Sequence, residues 1–214
     1  MRENYKVLDI FFYGDTAIKV RTERPFVPIK SGQCFNVGFP GQEVNREYSI
    51  YSGAEEDYLE FLIRIVPDGV LSEQFKDLSV GDRLEIDGPY GEFVLPDADV
   101  ANSKFLFIAT GTGIAPFHSF YRTYPSINFT LVHGVRSIGD TYDSSDYPAG
   151  AYVPCISGGD GSVPMRVTDY IQKNFRYSHE LIYICGNRNM IIDMYQILFN
   201  MGISGDHIIT EVFF

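Results

Sequence analysis

The feature that most constrains this chain is the run "KFLFIAT" at residues 104–110, followed at once by "GTGIAPF". Seven nearly continuous apolar residues read as a strand buried on both faces, the situation of a parallel strand between helical layers. A glycine turn and a helical segment, "IAPFHSFYRTY", come next. Beyond them the pattern repeats: "FTLVHG", "AYVPCIS", the helix "VTDYIQKNF", the strand "LIYICG", the longer helix "RNMIIDMYQILFNMG" and a last strand "HIITEVFF". Strands alternating with helices predict a parallel sheet with right-handed crossovers. Ligands of such sheets bind at the carboxyl ends of the strands. That directs attention to Gly111–Pro116, Gly134–Arg136, Ser157–Gly159 and Cys185–Asn187.

Upstream the pattern is different. "YKVLDIFFYG", "TAIKVRTE", "CFNVGFP", "REYSIYS", "LEFLIRIVP" and "DRLEIDGP" are short alternating runs punctuated by Gly, Pro and Asp. They predict a small antiparallel barrel or sandwich. Only "VLSEQFKDL" (70–78) reads as helical. The polar segment "LPDADVANS" (95–103) marks a boundary, so two domains are expected, 1–98 and 103–214. With 214 residues and 45% hydrophobic content, both can hold a core.

Composition narrows the function. A net charge of −11 argues against general nucleic-acid binding. Residues 1–100 carry 10 Lys+Arg against 19 Asp+Glu, and residues 101–214 carry 7 against 9, so the nearly neutral second part suits an anionic ligand. One basic stretch, Lys19, Arg21, Arg24 and Lys30, interrupts the acidic first part. Cys34, Cys155 and Cys185 are far apart and the four histidines lack ligand spacing, so no metal site is expected. The N-terminal "MRENYKVLDI" lacks a signal-peptide core, and no apolar run is long enough to span a bilayer. The expectation is a soluble cytoplasmic protein with no membrane partner.

Four stretches could carry chemistry. In "ATGTGIAPF" (109–117), Gly111 and Gly113 allow close backbone approach and positive φ, and the helix that follows favours a phosphate. A tight turn without a ligand is the alternative. In "PDGVLSEQF" (67–75), Gly69 precedes a helix start and Ser72 can cap it or reach a phosphate. In "YICGN" (183–187), Cys185 ends a strand, as a core residue or facing a ligand. In "REYS" (46–49), Arg46 can neutralise a phosphate, Tyr48 can stack on a flat ring and Ser49 can donate a hydrogen bond. An ordinary amphipathic strand is the competing reading. On an ideal strand Arg46 and Tyr48 share one face and Ser49 takes the other.

Taken together, "REYS", "VPDGVLSEQF", "DGPYGEF", "ATGTGIAPF", "VHGVRS", "RVTDYI", "YICGNRNMI" and the terminal "EVFF" resemble the ferredoxin/flavodoxin–NADP reductases of the short bacterial type, in order and spacing. The resemblance implies an N-terminal antiparallel β-barrel holding FAD and a C-terminal α/β domain with a parallel sheet binding NADP(H). Arg46 would contact the flavin pyrophosphate, Tyr48 the isoalloxazine and Ser49 the N5 region. Ile63, Arg64 and Ile65 would line the flavin. Gly69, Val70, Leu71 and Ser72 would bind the pyrophosphate. Thr112 and Gly113 would meet flavin and nucleotide, with Ser157, Gly186, Asn187 and Met190 in the nucleotide set. Arg136 and Arg166 would hold the 2′-phosphate. Cys185 would lie beside the nicotinamide, Glu211 would be the C-terminal acid, and Phe213 or Phe214 would shield the ring. The catalytic set implied is Ser49, Cys185 and Glu211. Hydride would pass from nicotinamide to flavin N5, and single electrons to ferredoxin or flavodoxin.

Three departures from the family bear on this. Gly158 stands where the family carries an arginine for the 2′-phosphate, which leaves NADH open as the donor. The chain is short, which leaves FMN open beside FAD. Its acidity would repel acidic partners, so the basic stretch at Lys19–Lys30 is the expected docking patch on a monomer. An NADH-dependent flavin or cytochrome-type reductase of the same superfamily is the alternative enzyme. A non-catalytic flavin-binding redox sensor is the alternative of another class.

Overall fold

The computed structural model describes residues 3–96, 100–158 and 163–213. Phe214, Gly159 and the residue closing the first expected domain, Ala98, lie outside them. Packing divides the chain into two compact units, Met1–Leu95 with Ala115–Thr123, and Pro96–Ile114 with Tyr124–Phe214.

The first unit is an antiparallel sheet of six strands: β1 (Glu3–Tyr13), β2 (Ala17–Glu23), β3 (Cys34–Gly38), β4 (Asn45–Ser49), β5 (Tyr58–Arg64) and β6 (Arg83–Tyr90). Their order is β4-β3-β6-β1-β2-β5. A bridge between Ile50 and Phe61 joins the two outer strands and closes the barrel. Alternation sends one row inward. In β2, Ile18, Val20 and Thr22 are buried while Lys19, Arg21 and Glu23 point outward. Ile18, Val20, Phe35, Val37, Ile50, Phe61, Ile63 and Leu84 form the core, capped by Phe75. The helical expectation at 70–78 shortens to a 3-10 helix over Ser72–Asp77. Asp68 takes a φ of 60° and Ser72 brackets Val66, so the chain is held in a loop until residue 72.

The second unit is a parallel sheet in the order β11-β10-β7-β8-β9: β7 (Lys104–Thr110), β8 (Asn128–Val135), β9 (Tyr152–Ile156), β10 (Leu181–Asn187) and β11 (Ile208–Phe213). The double-faced burial read from "KFLFIAT" is present. Leu106 and Ile108 join Ile171 of α2 (Val167–Asn174) and Met194 and Leu198 of α3 (Arg188–Asn200) in one cluster. Phe105 and Phe107 stack against each other, and Phe107 also meets Phe129 and Tyr183. Each such ring buried contributes about 2–3 kcal/mol.

Helix α1 (Ala115–Thr123) follows the glycine turn in sequence but packs with the barrel unit. Thr123 Oγ1 accepts from the Ala54 N–H at 2.9 Å, and Arg122 pairs with Glu56. Gly32 makes this contact possible. Its φ is +86°, and a Cβ there would lie 2.6 Å from the Phe120 ring and 2.0 Å from the Phe93 carbonyl oxygen.

Candidate active site

In the barrel unit, β4 pairs with β3 in unbroken register, Phe35 opposite Tyr48, Val37 opposite Arg46 and Cys34 opposite Ser49. Arg46 and Tyr48 therefore share one face and Ser49 takes the other, as alternation requires. There is no bulge at Tyr48. Ser49 is the last residue of the strand, so one ligand touching all three side chains must wrap the strand's end. Tyr48 sits half-buried with its ring edge-on to Phe75, centroids 6.2 Å apart, and burial pushes its phenol up to about 12 despite the nearby Arg46. Arg46 is exposed and donates to the Asn45 carbonyl at 2.8 Å. Ser49 is buried beside Cys34.

Ile63 and Ile65 commit their side chains to the barrel core, so only their backbone is available to a ligand, while Arg64 points outward. The loop after them is a cradle. Ser72 Oγ accepts from the Val66 N–H at 3.1 Å and donates to the Val66 carbonyl at 3.2 Å. A Cβ on Gly69 would stand 2.4 Å from that hydroxyl, so only glycine fits without movement. Among the described residues the Val70 and Leu71 N–H groups have no protein acceptor, and Val70 is exposed while Leu71 is buried. Two amides left at a glycine-shaped turn fit an anionic group such as a pyrophosphate.

In the α/β unit, the turn after β7 is clamped from two sides. Gly113 abuts the end of β10, where a Cβ would lie 2.6 Å from the Cys185 carbonyl oxygen and 2.7 Å from Gly186 Cα. Thr110 Oγ1 accepts from the Asn187 N–H at 3.0 Å. Gly186, at φ +136°, admits this contact, since its Cβ would stand 2.3 Å from Thr110 Oγ1. Thr112, Cys185, Gly186 and Asn187 thus gather at one strand edge. Asn187 is spent locally, its side chain accepting from the Asn189 N–H to cap α3, and Met190 is buried in the core. Cys185 is buried with its thiol 3.9 Å from Glu211 Oε2, opposite it on β11. Burial, reinforced by the Glu211 carboxylate, holds that thiol well above the ordinary range, so it is a neutral S–H. Phe213 lies opposite Asn187, half-buried.

The sheet edge beyond β8 and β9 is also backbone-locked. Ser157 Oγ donates to the Val135 carbonyl at 3.1 Å, and the Gly158 N–H donates to the Arg136 carbonyl at 2.8 Å. A Cβ at Gly158 would stand 2.3 Å from that oxygen, so the glycine is a packing requirement. Arg136 is exposed, and the Arg166 N–H donates to Asp169 at the start of α2.

Sequence reasoning passed over His133. It is fully buried, with Nε2 2.8 Å from the Gly111 carbonyl oxygen and Nδ1 2.9 Å from the Tyr152 hydroxyl. Burial lowers it to about 4, against the opposing pull of Gly111 and Asp140, so the ring is neutral. Its place in "VHG", at the end of a strand beside the glycine turn, was the available signal.

The basic stretch is less basic than its letters. Arg21 makes two hydrogen bonds to buried Glu60, at 3.0 and 2.9 Å, and lies 3.9 Å over the Tyr58 ring. Lys19 is set among Phe11, Tyr13 and Tyr51, each about 5.8–5.9 Å away. Arg24 donates to the Glu56 carbonyl at 2.9 Å.

A glycine cradle on the β-barrel unit and a glycine turn on the parallel-sheet unit are two places suited to an anionic group. Two domain families match the chain: the oxidoreductase FAD-binding domain over residues 16–95 and the oxidoreductase NAD-binding domain over residues 107–196. Together they span most of the chain, which belongs to the oxidoreductases built of an FAD-binding and an NAD-binding domain in that order. It is 36% identical over 143 residues to the reductase subunit of an aromatic O-demethylase from Amycolatopsis sp., covering 60% of this chain and 43% of that one. It is 36% identical over 146 residues to a ferredoxin–NADP reductase from Pseudomonas aeruginosa, covering 63% and 55%. The chain spans about half the length of the curated relatives it matches first, from 43% to 58%. A ferredoxin NADP+ reductase from Neisseria gonorrhoeae, solved with FAD and NADP, shares the fold with a TM-score of 0.89 at 23% identity, over 100% of this chain and 99% of that one. Among the described residues no helix is long and apolar enough to cross a membrane.

Proposed function

We propose that this oxidoreductase moves electrons between NADP(H) and a ferredoxin or flavodoxin, as a cytoplasmic monomer with FAD on residues 1–98 and the nucleotide on residues 103–214. The observation that carries the reading is the clamp of Gly113 against Cys185 and Gly186, which brings a phosphate-suited turn and a neutral thiol to one strand edge. When bound, FAD supplies a ring that takes a hydride and gives up electrons singly. The protein supplies binding and orientation. Val70 and Leu71 amides hold the pyrophosphate with help from Arg46, and Tyr48 and Ser49 bracket the flavin ring. Thr112, Gly113 and Gly186 seat the nucleotide, and Cys185 packs against its nicotinamide with Glu211 fixing the S–H. Arg136 and Arg166 attract the 2′-phosphate by charge.

NADH is the second reading, favoured by one observation. A side chain at Gly158 would collide with the Arg136 carbonyl, so the third cationic contact cannot be supplied there without a backbone shift. A relative named as the electron transfer component of a toluate 1,2-dioxygenase from Pseudomonas putida, 29% identical over 197 residues, extends that reading to an oxygenase partner. Comparing kcat/KM for NADPH and NADH decides between them. A preference for NADPH supports the first reading, and a preference for NADH overturns it.

A further inference from the structure

Gly111 follows β7, His133 sits near the carboxyl end of the neighbouring β8 and Tyr152 opens β9, and two hydrogen bonds through the histidine join them. A carbonyl oxygen only accepts, so the proton of neutral His133 is on Nε2, pointing at Gly111. Nδ1 is then an acceptor and the Tyr152 hydroxyl its donor. Burial pushes that phenol up, which keeps it protonated and able to donate. Tyr152 is itself held, stacked on Tyr147 at 5.3 Å and 3°. The Gly111 carbonyl therefore sets the tautomer, and the Tyr152 hydroxyl, donating to Nδ1, holds the ring in place behind it.

Gripping Gly111 fixes more than one atom. In a trans peptide the carbonyl and the next N–H point in opposite directions. With the Gly111 oxygen drawn to His133, the Thr112 N–H is aimed away from β8. It belongs to the first turn of the 3-10 helix Gly111–Ile114, where an N–H has no acceptor within the helix. Gly111 holds this peptide plane at φ +54°, a conformation with little intrinsic preference, so an outside restraint decides it. A hydrogen bond to the carbonyl also polarises the amide and strengthens its N–H as a donor.

We propose that His133, oriented by Tyr152, is a positioning residue for pyridine-nucleotide binding: it fixes the Gly111–Thr112 peptide so that the Thr112 N–H is presented to the nucleotide's phosphate. The proposal rests on the reading of this turn as the nucleotide site. It assigns the buried histidine a role in affinity beyond filling the core.

The test uses the FAD-loaded protein and calorimetric dissociation constants for NADP+ and NAD+, with flavin content read from the visible spectrum. His133→Leu, which removes the donor, is expected to weaken both nucleotides about tenfold while flavin stays bound. His133→Gln keeps a donor near Nε2 and is expected to restore affinity to within about twofold. Tyr152→Phe leaves Nδ1 without its donor and loosens the ring, and is expected to fall between the two; it also serves if His133→Leu does not fold. Unchanged affinity in His133→Leu or Tyr152→Phe, or equal loss in His133→Gln and His133→Leu, overturns the proposal. So does loss of flavin together with nucleotide affinity. Gly113→Val separates the underlying reading. Full nucleotide affinity in that variant overturns the turn as the nucleotide site, and loss there with full affinity in His133→Leu overturns the positioning role alone.

Discussion

Tyr51 and His118 stack face to face, ring centroids 3.8 Å apart and planes 9° from parallel, and His118 Nδ1 donates to the Tyr51 carbonyl at 2.7 Å. Both side chains are at most 1% exposed. The pair fastens α1 to the strand extension that follows β4. It accounts for the second tyrosine of "REYSIYS", and the last residue of that run, Ser52, accepts from the Glu60 N–H at 3.1 Å. His118→Leu leaves a buried carbonyl without its donor and removes the stack. It is expected to lower unfolding free energy by about 2–4 kcal/mol, seen as a shifted urea midpoint at unchanged slope.

Arg21 is a structural cation. Glu60 is 4% exposed, and losing Arg21 leaves its carboxylate buried and unpaired. Arg21→Glu is expected to destabilise the barrel by about 3 kcal/mol or more and to reduce FAD retention. A docking test therefore belongs on Lys30, an exposed residue, and Arg24. Lys30→Glu with Arg24→Glu is expected to slow electron transfer to an acidic protein acceptor, with dye reduction unchanged. Equal loss of both activities contradicts a docking role.

Acid lowers stability through two separable windows. His133 is depressed in the folded state to about 4, below its ordinary 6.5, chiefly by burial. As pH falls from 6.5 toward 4 the unfolded chain takes up a proton that the folded one refuses, so stability drops by about 3 kcal/mol. Glu180 is also depressed. Burial alone would raise it, but hydrogen bonds from Lys104 and Ser178 bring it to about 2. Its contribution is complete above its ordinary 4.5 and is lost as pH falls toward 2. His133→Gln is expected to flatten the upper window and Glu180→Gln the lower one, in denaturant midpoints collected against pH.

Deleting Phe213 and Phe214 tests the terminal strand. Phe213 sits beside Asn187, at the edge proposed for the nicotinamide. The truncated protein is expected to retain flavin and to change both KM for the nucleotide and turnover. Unaltered kinetics contradict a shielding role.

The strands and helices were legible because their periods are local properties. β7 matches "KFLFIAT" to the residue, and alternation in "REYS" already separated Ser49 from Arg46 and Tyr48. The long-range partners were not legible. Nothing near Arg21 in sequence announces Glu60, 39 residues away, so its charge was read as free. His133 was passed over because a buried histidine has no spacing signal, and its partners Gly111 and Tyr152 lie 22 and 19 residues off. The helix after the glycine turn was assigned with its sequence neighbours, whereas packing groups it with the barrel unit. Helical periodicity specifies a buried face but does not name what covers it.

The central claim, that a pyridine nucleotide reduces a flavin bound to this protein, is tested most directly by mixing the FAD-loaded protein with NADPH or NADH without oxygen and following the flavin absorbance near 450 nm, roughly the band expected of an oxidised flavin. The account predicts rapid and complete bleaching, faster with NADPH than with NADH, and recovery of colour when an electron acceptor is added. A flavin that stays yellow with both nucleotides, yet bleaches with a chemical reductant, would contradict it.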